Sequence, residues 1–257
     1  MARIALRSTP NSVYVNGTDG AAPNALSCAN SSSLNPTAAV TIEAWFKPMG
    51  MPKAFVLFDN SQAGATNSYF LLVNANSSSS WFSTISGTGR NVSNANSRPV
   101  RWNGWNFFQA TYTGSAIRIF LNGSQFTEEI TGISGSLGTN TGILRIGAYY
   151  TGGSSLTFRG LVYRPRIYNV GCTLAEHQDR YYREITSTAL SAGLVLDPDF
   201  TAGSGSTITD LSGRGNTITI NASASWNSVD RPFLARTTAS SRTLAAARTL
   251  ASSRTLA

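Results

Sequence analysis

Trp105 to Gly123 reads WNFFQATYTGSAIRIFLNG, and its alternation decides the fold class. Phe107, Gln109, Thr111 and Thr113 fall on one face, and Asn106, Phe108, Ala110 and Tyr112 on the other. Thr113-Gly114-Ser115 supplies a turn. Ile117, Ile119 and Leu121 then point one way and Arg118 and Phe120 the other, up to Asn122-Gly123. Period-two alternation of aromatic and β-branched residues, closed by Asn-Gly, predicts a β-hairpin.

The same grammar recurs outward from this hairpin. Strands are predicted at 12–15, 40–47, 54–58, 69–74, 81–85, 106–113, 117–121, 143–147, 158–168, 194–196 and 217–221, separated by Gly, Asn, Ser and Pro clusters. Many short strands with frequent turns predict an all-β, two-sheet antiparallel sandwich. One helix is predicted. Thr173 to Glu176 forms a capping box, and Leu174, His177 and Tyr181 follow on one helical side, so a helix of two to three turns should end before Thr186.

Composition fits such a sandwich. Of 257 residues, 41% are hydrophobic but only 12% are charged, about half the usual share, so hydroxyl and amide side chains are expected to cover the outer faces. The net charge of +8 is unevenly placed: Arg231, Arg236, Arg242, Arg248 and Arg254 follow the last acidic residue, Asp230. The body before them carries fifteen basic against twelve acidic residues, which argues against a basic nucleic-acid-binding domain. Two cysteines, Cys28 and Cys172, are too few for a disulfide scaffold, and buried thiols are favoured over a bridge. No apolar run has the length of a signal sequence's core or of a membrane span, so membrane insertion is not expected.

From Arg236 the chain repeats every six residues: RTTASS, RTLAAA, RTLASS, RTLA. On a helix this period forms no stripe, whereas on an extended chain Arg236, Arg242, Arg248 and Arg254 share one face with Leu244, Leu250 and Leu256. The reading is an extended assembly tail over 231–257 that docks on a neighbouring subunit by β-augmentation. The absence of lysine and aromatic residues from the repeat argues against nucleic acid as its partner.

Several segments together resemble the concanavalin A-like, laminin G-like domains of the pentraxin type. These are TIEAWFKP at 41–48, the 105–123 hairpin, ILRIGAYYTGG at 143–153, FRGLVYRPRIYN at 158–169 and TLAEHQDRYY at 173–182, in the family's order. The resemblance implies a jelly-roll sandwich over about 12–185, with Trp45 and Trp105 as core payloads between facing sheets, and Gly147 and Gly160 where a strand kinks or another backbone passes close. A segment like the family's usual opening comes late, as LSAGLVLDPDFTAGSGSTITDLSGRGNTITI at 190–220. The expectation is one permuted domain over 1–230, with 190–226 supplying the usual N-terminal segment. The start of a further, incomplete unit and completion of a neighbour's sheet by that segment are the alternatives.

The candidate sites are few. The resemblance makes calcium the one cofactor to test, with Asp210 and Asn216 at the matching loop positions; an Asx-turn loop without metal is the alternative. Trp81, Trp102, Tyr149 and Tyr150 are candidates for glycan binding or a subunit interface. Catalysis is not expected: no strand carries the paired carboxylates of a glycosidase, Asp197 and Asp199 are separated by Pro198, and Glu128 and Glu129 are adjacent. His177 has no Ser or Cys partner in view and reads as a packing or surface residue. The functional expectation is a non-catalytic structural or adhesive surface protein of a multimeric assembly. A phage virion component such as a capsid decoration or tail-associated protein comes first, made in the cytoplasm without a signal peptide and held to itself or other virion subunits. A carbohydrate-binding adhesin that meets a cell-surface glycan is the alternative.

Overall fold

A computed structural model describes residues 11–17, 25–50, 53–61, 69–74, 79–86, 88–93, 100–125, 130–149, 156–183, 193–230 and 232. Two antiparallel sheets pack face to face. Sheet A contains β1 (Ser12–Val15), β3 (Val40–Pro48), β8 (Asn106–Tyr112), β9 (Ile117–Leu121), β10 (Ser124–Gln125), β12 (Gly160–Tyr168), β13 (Leu194–Leu196) and β16 (Ala224–Asn227). Its order is β10-β9-β8-β3-β12-β1-β16, with β13 also paired to β12. Sheet B contains β2 (Leu26–Cys28), β4 (Phe55–Asn60), β5 (Tyr69–Val73), β6 (Ser79–Ile85), β7 (Thr88–Ser93), β11 (Leu144–Ile146), β14 (Thr207–Ile208) and β15 (Ile218–Ile220). Its order is β14-β15-β2-β11-β4-β5-β6-β7.

The decisive hairpin forms as its alternation requires. Phe108 pairs with Leu121, Ala110 with Ile119 and Tyr112 with Ile117, all buried toward sheet B. Asn122 and Gly123 both take positive φ, +52° and +85°, the type I′ turn that leads into β10. Between the sheets, Phe46 of β3 meets Phe55 of β4 at 5.8 Å and Phe158 at 6.3 Å between ring centroids. Each such ring contributes about 1.5–3 kcal/mol by leaving water. Gly160 lies where a backbone passes close: a Cβ there would stand 2.1 Å from the Lys47 carbonyl oxygen.

Helix α1 (Leu174–Arg183) starts at the predicted capping box, where the Thr173 N–H donates to Glu176 Oε2 at 2.7 Å and the Glu176 N–H to Thr173 Oγ1 at 3.3 Å. The helix lies on the outer face of sheet A, and this corrects two expectations. Trp45 does not fill the space between the sheets. It alternates with Phe46, so it faces outward, packing on Phe107 at 5.1 Å and on Tyr181 of the helix at 5.6 Å. Trp105 is half-buried and donates from Nε1 to Asp230 Oδ1 at 2.8 Å. Nor is that outer face covered by hydroxyls and amides alone: it holds Trp45, Phe107, Phe120 and the fully buried Glu43.

Residues 194–227 supply four strands to these sheets. β13 pairs with β12, β14 and β15 form a hairpin of which β15 pairs with β2, and β16 pairs with β1. β12 carries a bulge at Arg164-Pro165, where the register shifts and Arg164 takes φ +45°. The proline, which has no N–H to give a ladder, sits at this irregularity. β1 and β13 share one edge of β12, on either side of the bulge. Both cysteines are free and buried, and burial pushes the Cys28 thiol up to about 11 and that of Cys172 to about 12. Sequence patterning had not marked β2, β7, β10, β14 or β16. Four of them have at most four residues, and β7, Thr-Gly-Arg-Asn-Val-Ser, has almost no apolar alternation.

Candidate functional site

The outer face of sheet B carries the most suggestive arrangement. Alternation turns Leu26, Cys28, Leu144, Ile146, Tyr69, Leu71 and Val73 into the core and leaves Ser27, Arg145, Phe70 and Leu72 half-buried on the other side. The register places Thr219, Ser27, Arg145, Asp59 and Phe70 in one row across five strands. Tyr149, three residues beyond β11, meets the Phe70 ring edge-on at 5.4 Å, and both rings are half-buried. Asn221 Nδ2 donates to Ser27 Oγ at 3.1 Å.

The row's charges are matched internally. Arg145 Nη1 lies 3.7 Å from Asp59 Oδ2 and also donates to the carbonyls of Ile143 (3.3 Å) and Ser61 (3.4 Å). Asp59 is fully buried and accepts a hydrogen bond from Ser61 Oγ. Burial lowers the Arg145 pKa, and Asp59 opposes that shift. The result is a pair of apolar rings at one end of the row, the Asp59–Arg145 ion pair next to them, and the Ser27 hydroxyl with its Asn221 amide farther along. Such a surface can stack on a flat apolar ligand face and hydrogen-bond its edges.

The aromatic candidates from sequence are not gathered in one place. Trp102 is half-buried against Phe55, at 6.2 Å, and Phe55 points into the sandwich, whereas Tyr149 packs on Phe70 outside it. Trp81 lies on β6, its backbone opposite Leu71 and Val92. Tyr150 lies outside the described residues, as do Glu128, Glu129 and the tail positions Arg236, Arg242, Leu244, Arg248, Leu250, Arg254 and Leu256. Phe70, Arg145 and Asp59 escaped sequence reasoning. Only their shared outward phase across neighbouring strands marks them, and that requires the register.

Asp210 and Asn216 come together, but as a hydrogen-bonded latch. Asp210 Oδ1 accepts the N–H groups of Asp197 (2.9 Å) and Ser212 (3.0 Å); Oδ2 accepts Ser212 Oγ (2.7 Å) and the Asn216 N–H (2.8 Å). These bonds hold the carboxyl below the usual range against the opposing effect of burial. Asn216 Oδ1 accepts Ser31 Oγ at 2.6 Å, and its Nδ2 donates to the Val195 carbonyl (2.6 Å) and Ser33 Oγ (2.8 Å). A carboxylate offers about four acceptor positions, and all are taken. Calcium takes six to eight oxygen ligands, carbonyls and waters among them, and the Asp210 carboxylate as arranged offers it no unoccupied acceptor position. Among the described residues no group of three or more His, Cys, Asp or Glu could hold a metal.

A second polar cluster lies under α1. Glu43 is flanked in register by Gln109 and Arg166. Its Oε1 meets Tyr168 Oη (2.9 Å) and Arg166 Nη1 (3.3 Å); its Oε2 meets Gln109 Nε2 (2.8 Å) and Arg180 Nη1 (3.2 Å). Burial alone would raise this carboxyl, yet the two guanidiniums and two hydrogen bonds hold it below the ordinary value. His177, fully buried, accepts the Gly123 N–H at Nε2 (3.1 Å), so its Nδ1 carries the proton donated to Gln109 Oε1 (3.1 Å). Burial drives its pKa down to about 3. It packs between rings, stacking on Phe120 at 4.8 Å and on Phe107 at 5.3 Å.

A family model described as the concanavalin A-like lectin/glucanases superfamily, of laminin G type, matches residues 16–176. The chain belongs to this superfamily. Among solved structures, this concanavalin A-like chain is similar to a proposed carbohydrate binding protein from Bacteroides ovatus ATCC 8483, at TM-score 0.62 and 16% identity, over 88% of this chain and 61% of that one. It is also similar to the native heptameric SAP-like pentraxin from Limulus polyphemus, at TM-score 0.56 and 12% identity, over 84% and 97%. A third likeness is to the binding domain of Paraclostridial Mosquitocidal Protein 1, at TM-score 0.52 and 13% identity, over 70% and 47%. The concanavalin A-like chain thus spans about three fifths of the Bacteroides protein and nearly all of the pentraxin. No curated protein sequence matches it.

Proposed function

We propose that this concanavalin A-like domain is a non-catalytic binding module that recognises a saccharide on the outer face of sheet B. The Phe70–Tyr149 ring pair carries the reading: two half-buried aromatic rings in edge-on contact on that face. The likeness to a proposed carbohydrate binding protein supports it. The acids also support a non-catalytic role. Glu43 is buried between two arginines, and Asp197 is held by Arg164 and Arg166. On the same reading, residues 1–230 are one permuted domain, supported by the pairing of 194–227 with strands of the same sandwich. The test is a glycan array with the full chain. Saturable binding is expected, weakened at least about tenfold in both Phe70→Ala and Tyr149→Ala, in line with the cost of deleting an aromatic contact. Absence of saturable binding in the folded protein refutes the reading.

A second reading concerns assembly: a virion subunit whose repeat tail docks on its neighbours. Where the tail begins, Asp230 is held by Lys47 and by Trp105, which gives the segment a fixed origin on sheet A. The oligomeric heptamer of a fold relative is in keeping with it. Sedimentation of the full chain against a chain ending at Pro232 tests it: a multimer that becomes a monomer supports the tail's role, and an unchanged mass rejects it.

A further inference from the structure

We infer that α1 is an acid-labile cover on the outer face of sheet A: its docking and a second proton on the His177 ring exclude one another, so acid opens the helix ahead of the sandwich. The inference is independent of any ligand on sheet B. The chain's single histidine sits in the middle of the contact, fully buried between the Phe107 and Phe120 rings. Both ring nitrogens are committed. Gln109 gives its Nε2 to Glu43, so its Oε1 is the atom that faces His177 Nδ1 at 3.1 Å and takes that proton. Nε2 accepts the Gly123 N–H at 3.1 Å. An imidazolium donates from both nitrogens. Its Nε2–H would meet the Gly123 N–H donor against donor, and a charge would be left in a buried site.

The charged neighbours do not offset that cation. Glu43 of β3 reaches the ring only through Gln109, and it already faces Arg166 of β12 and Arg180 of α1 and accepts from Tyr168. Arg118 of β9 stands opposite Thr111 on the same sheet face and adds positive charge. Cys172, its thiol pushed up by burial, stays neutral. On the helix itself Glu176 is spent in the capping box, and Asp179 lies two residues on, at another helical phase. Burial therefore drives the imidazole's pKa down against the pull of Glu43. The helix can leave without the sheets, because no strand ladder runs through it. The segment before it is pinned to sheet A: Thr41 Oγ1 donates to the Val170 carbonyl (2.7 Å) and the Cys172 N–H to Thr111 Oγ1 (3.0 Å). From Thr173 on, the cap bonds are internal to the helix, and sheet A is gripped by His177, Gln178, Arg180 and Tyr181. Gln178 Nε2 donates to the carbonyl of Gly123 at 3.2 Å, the same turn residue whose N–H binds His177, so the imidazolium strikes where two of these grips meet. Opening at Thr173 uncovers Trp45, Phe107, Phe120 and Glu43 and leaves the inner core closed.

The test is hydrogen exchange of the full chain, followed amide by amide at pH 7.5, 6 and 5, corrected for intrinsic rates and repeated in low urea. A histidine refused a proton when docked, with its ordinary value of 6.5 when free, should raise the opening of α1 about fourfold at pH 6 and about thirtyfold at pH 5 relative to pH 7.5. These amides should open with a shallower urea slope than those of β3 and β8, and in His177→Gln the rise at pH 5 should fall below about threefold. The carbon resonances of the single imidazole give a reading that needs no variant: in the folded chain it should stay neutral down to pH 5. Should the variant not fold, wild-type exchange and this titration decide. The inference is overturned by α1 amides that share the urea slope of β3 and β8, by a rise below about tenfold at pH 5, by a larger rise than threefold in His177→Gln, or by an imidazole that titrates near pH 6.5 in the folded chain.

Discussion

Glu43 is the residue on which the layer between sheet A and α1 turns. It is fully buried and gathers Arg166, Arg180, Tyr168 and Gln109. Removing one partner from such a cluster leaves uncompensated charge in a dry site, so Glu43→Ala should destabilise the domain by about 3–5 kcal/mol in urea unfolding. His177 sets a pH dependence. Its folded pKa of about 3 lies below the unfolded value of 6.5, so below pH 6.5 the unfolded chain takes up a proton that the folded chain refuses. Stability should therefore fall as the pH drops from 6.5 toward 3, by at most about 1.4 kcal/mol per pH unit from this group, and should not vary with it above 6.5. Urea midpoints at pH 7.5, 6 and 5 measure this, and His177→Gln should flatten the upper part of the decline. The sequence showed His177 as a packing or surface residue. The two neighbours that fix its tautomer, Gln109 and Gly123, lie 68 and 54 positions away and were not legible.

At the scale of elements, the 105–123 hairpin was readable because alternation, turn residues and strand length agree locally. Its turn has a second task that local pattern did not reveal. Gly123 donates its N–H to His177, and a Cβ there would lie 2.7 Å from Tyr181 Cδ1. With φ at +85° besides, Gly123→Ala should cost about 1–3 kcal/mol and loosen α1, seen as a lower melting temperature and reduced helical ellipticity. The capping box gave the start of α1 correctly because a cap is a local hydrogen-bond exchange. Which face of sheet A the helix covers was not local information. That is why Trp45, an apolar residue of a regularly alternating strand, was expected between the sheets and lies beneath the helix instead, packed on Phe107 and Tyr181.

At the scale of the molecule, the sandwich extends beyond the 16–176 that match the family model. Val195, Leu196, Ile208 and Ile218 are buried, and their strands cover edges of both sheets. A chain ending at Gly193 should therefore lose cooperative thermal unfolding and bind a hydrophobic dye, whereas one ending at Pro232 should melt as the full chain does. Sequence by itself determined the all-β class, the hairpin, the helix start and the family, because each rests on the spacing of neighbouring residues. Only the tertiary structure decided which outward faces are covered, that Asp210 and Asn216 spend their oxygens on the chain's own donors, and that Phe70, Arg145 and Asp59 stand in one row with Tyr149 packed on Phe70. The physical reason is that strand register and layer order are set by contacts between residues far apart in the chain, and no local pattern encodes which of two alternating faces will meet a helix, a ligand or water.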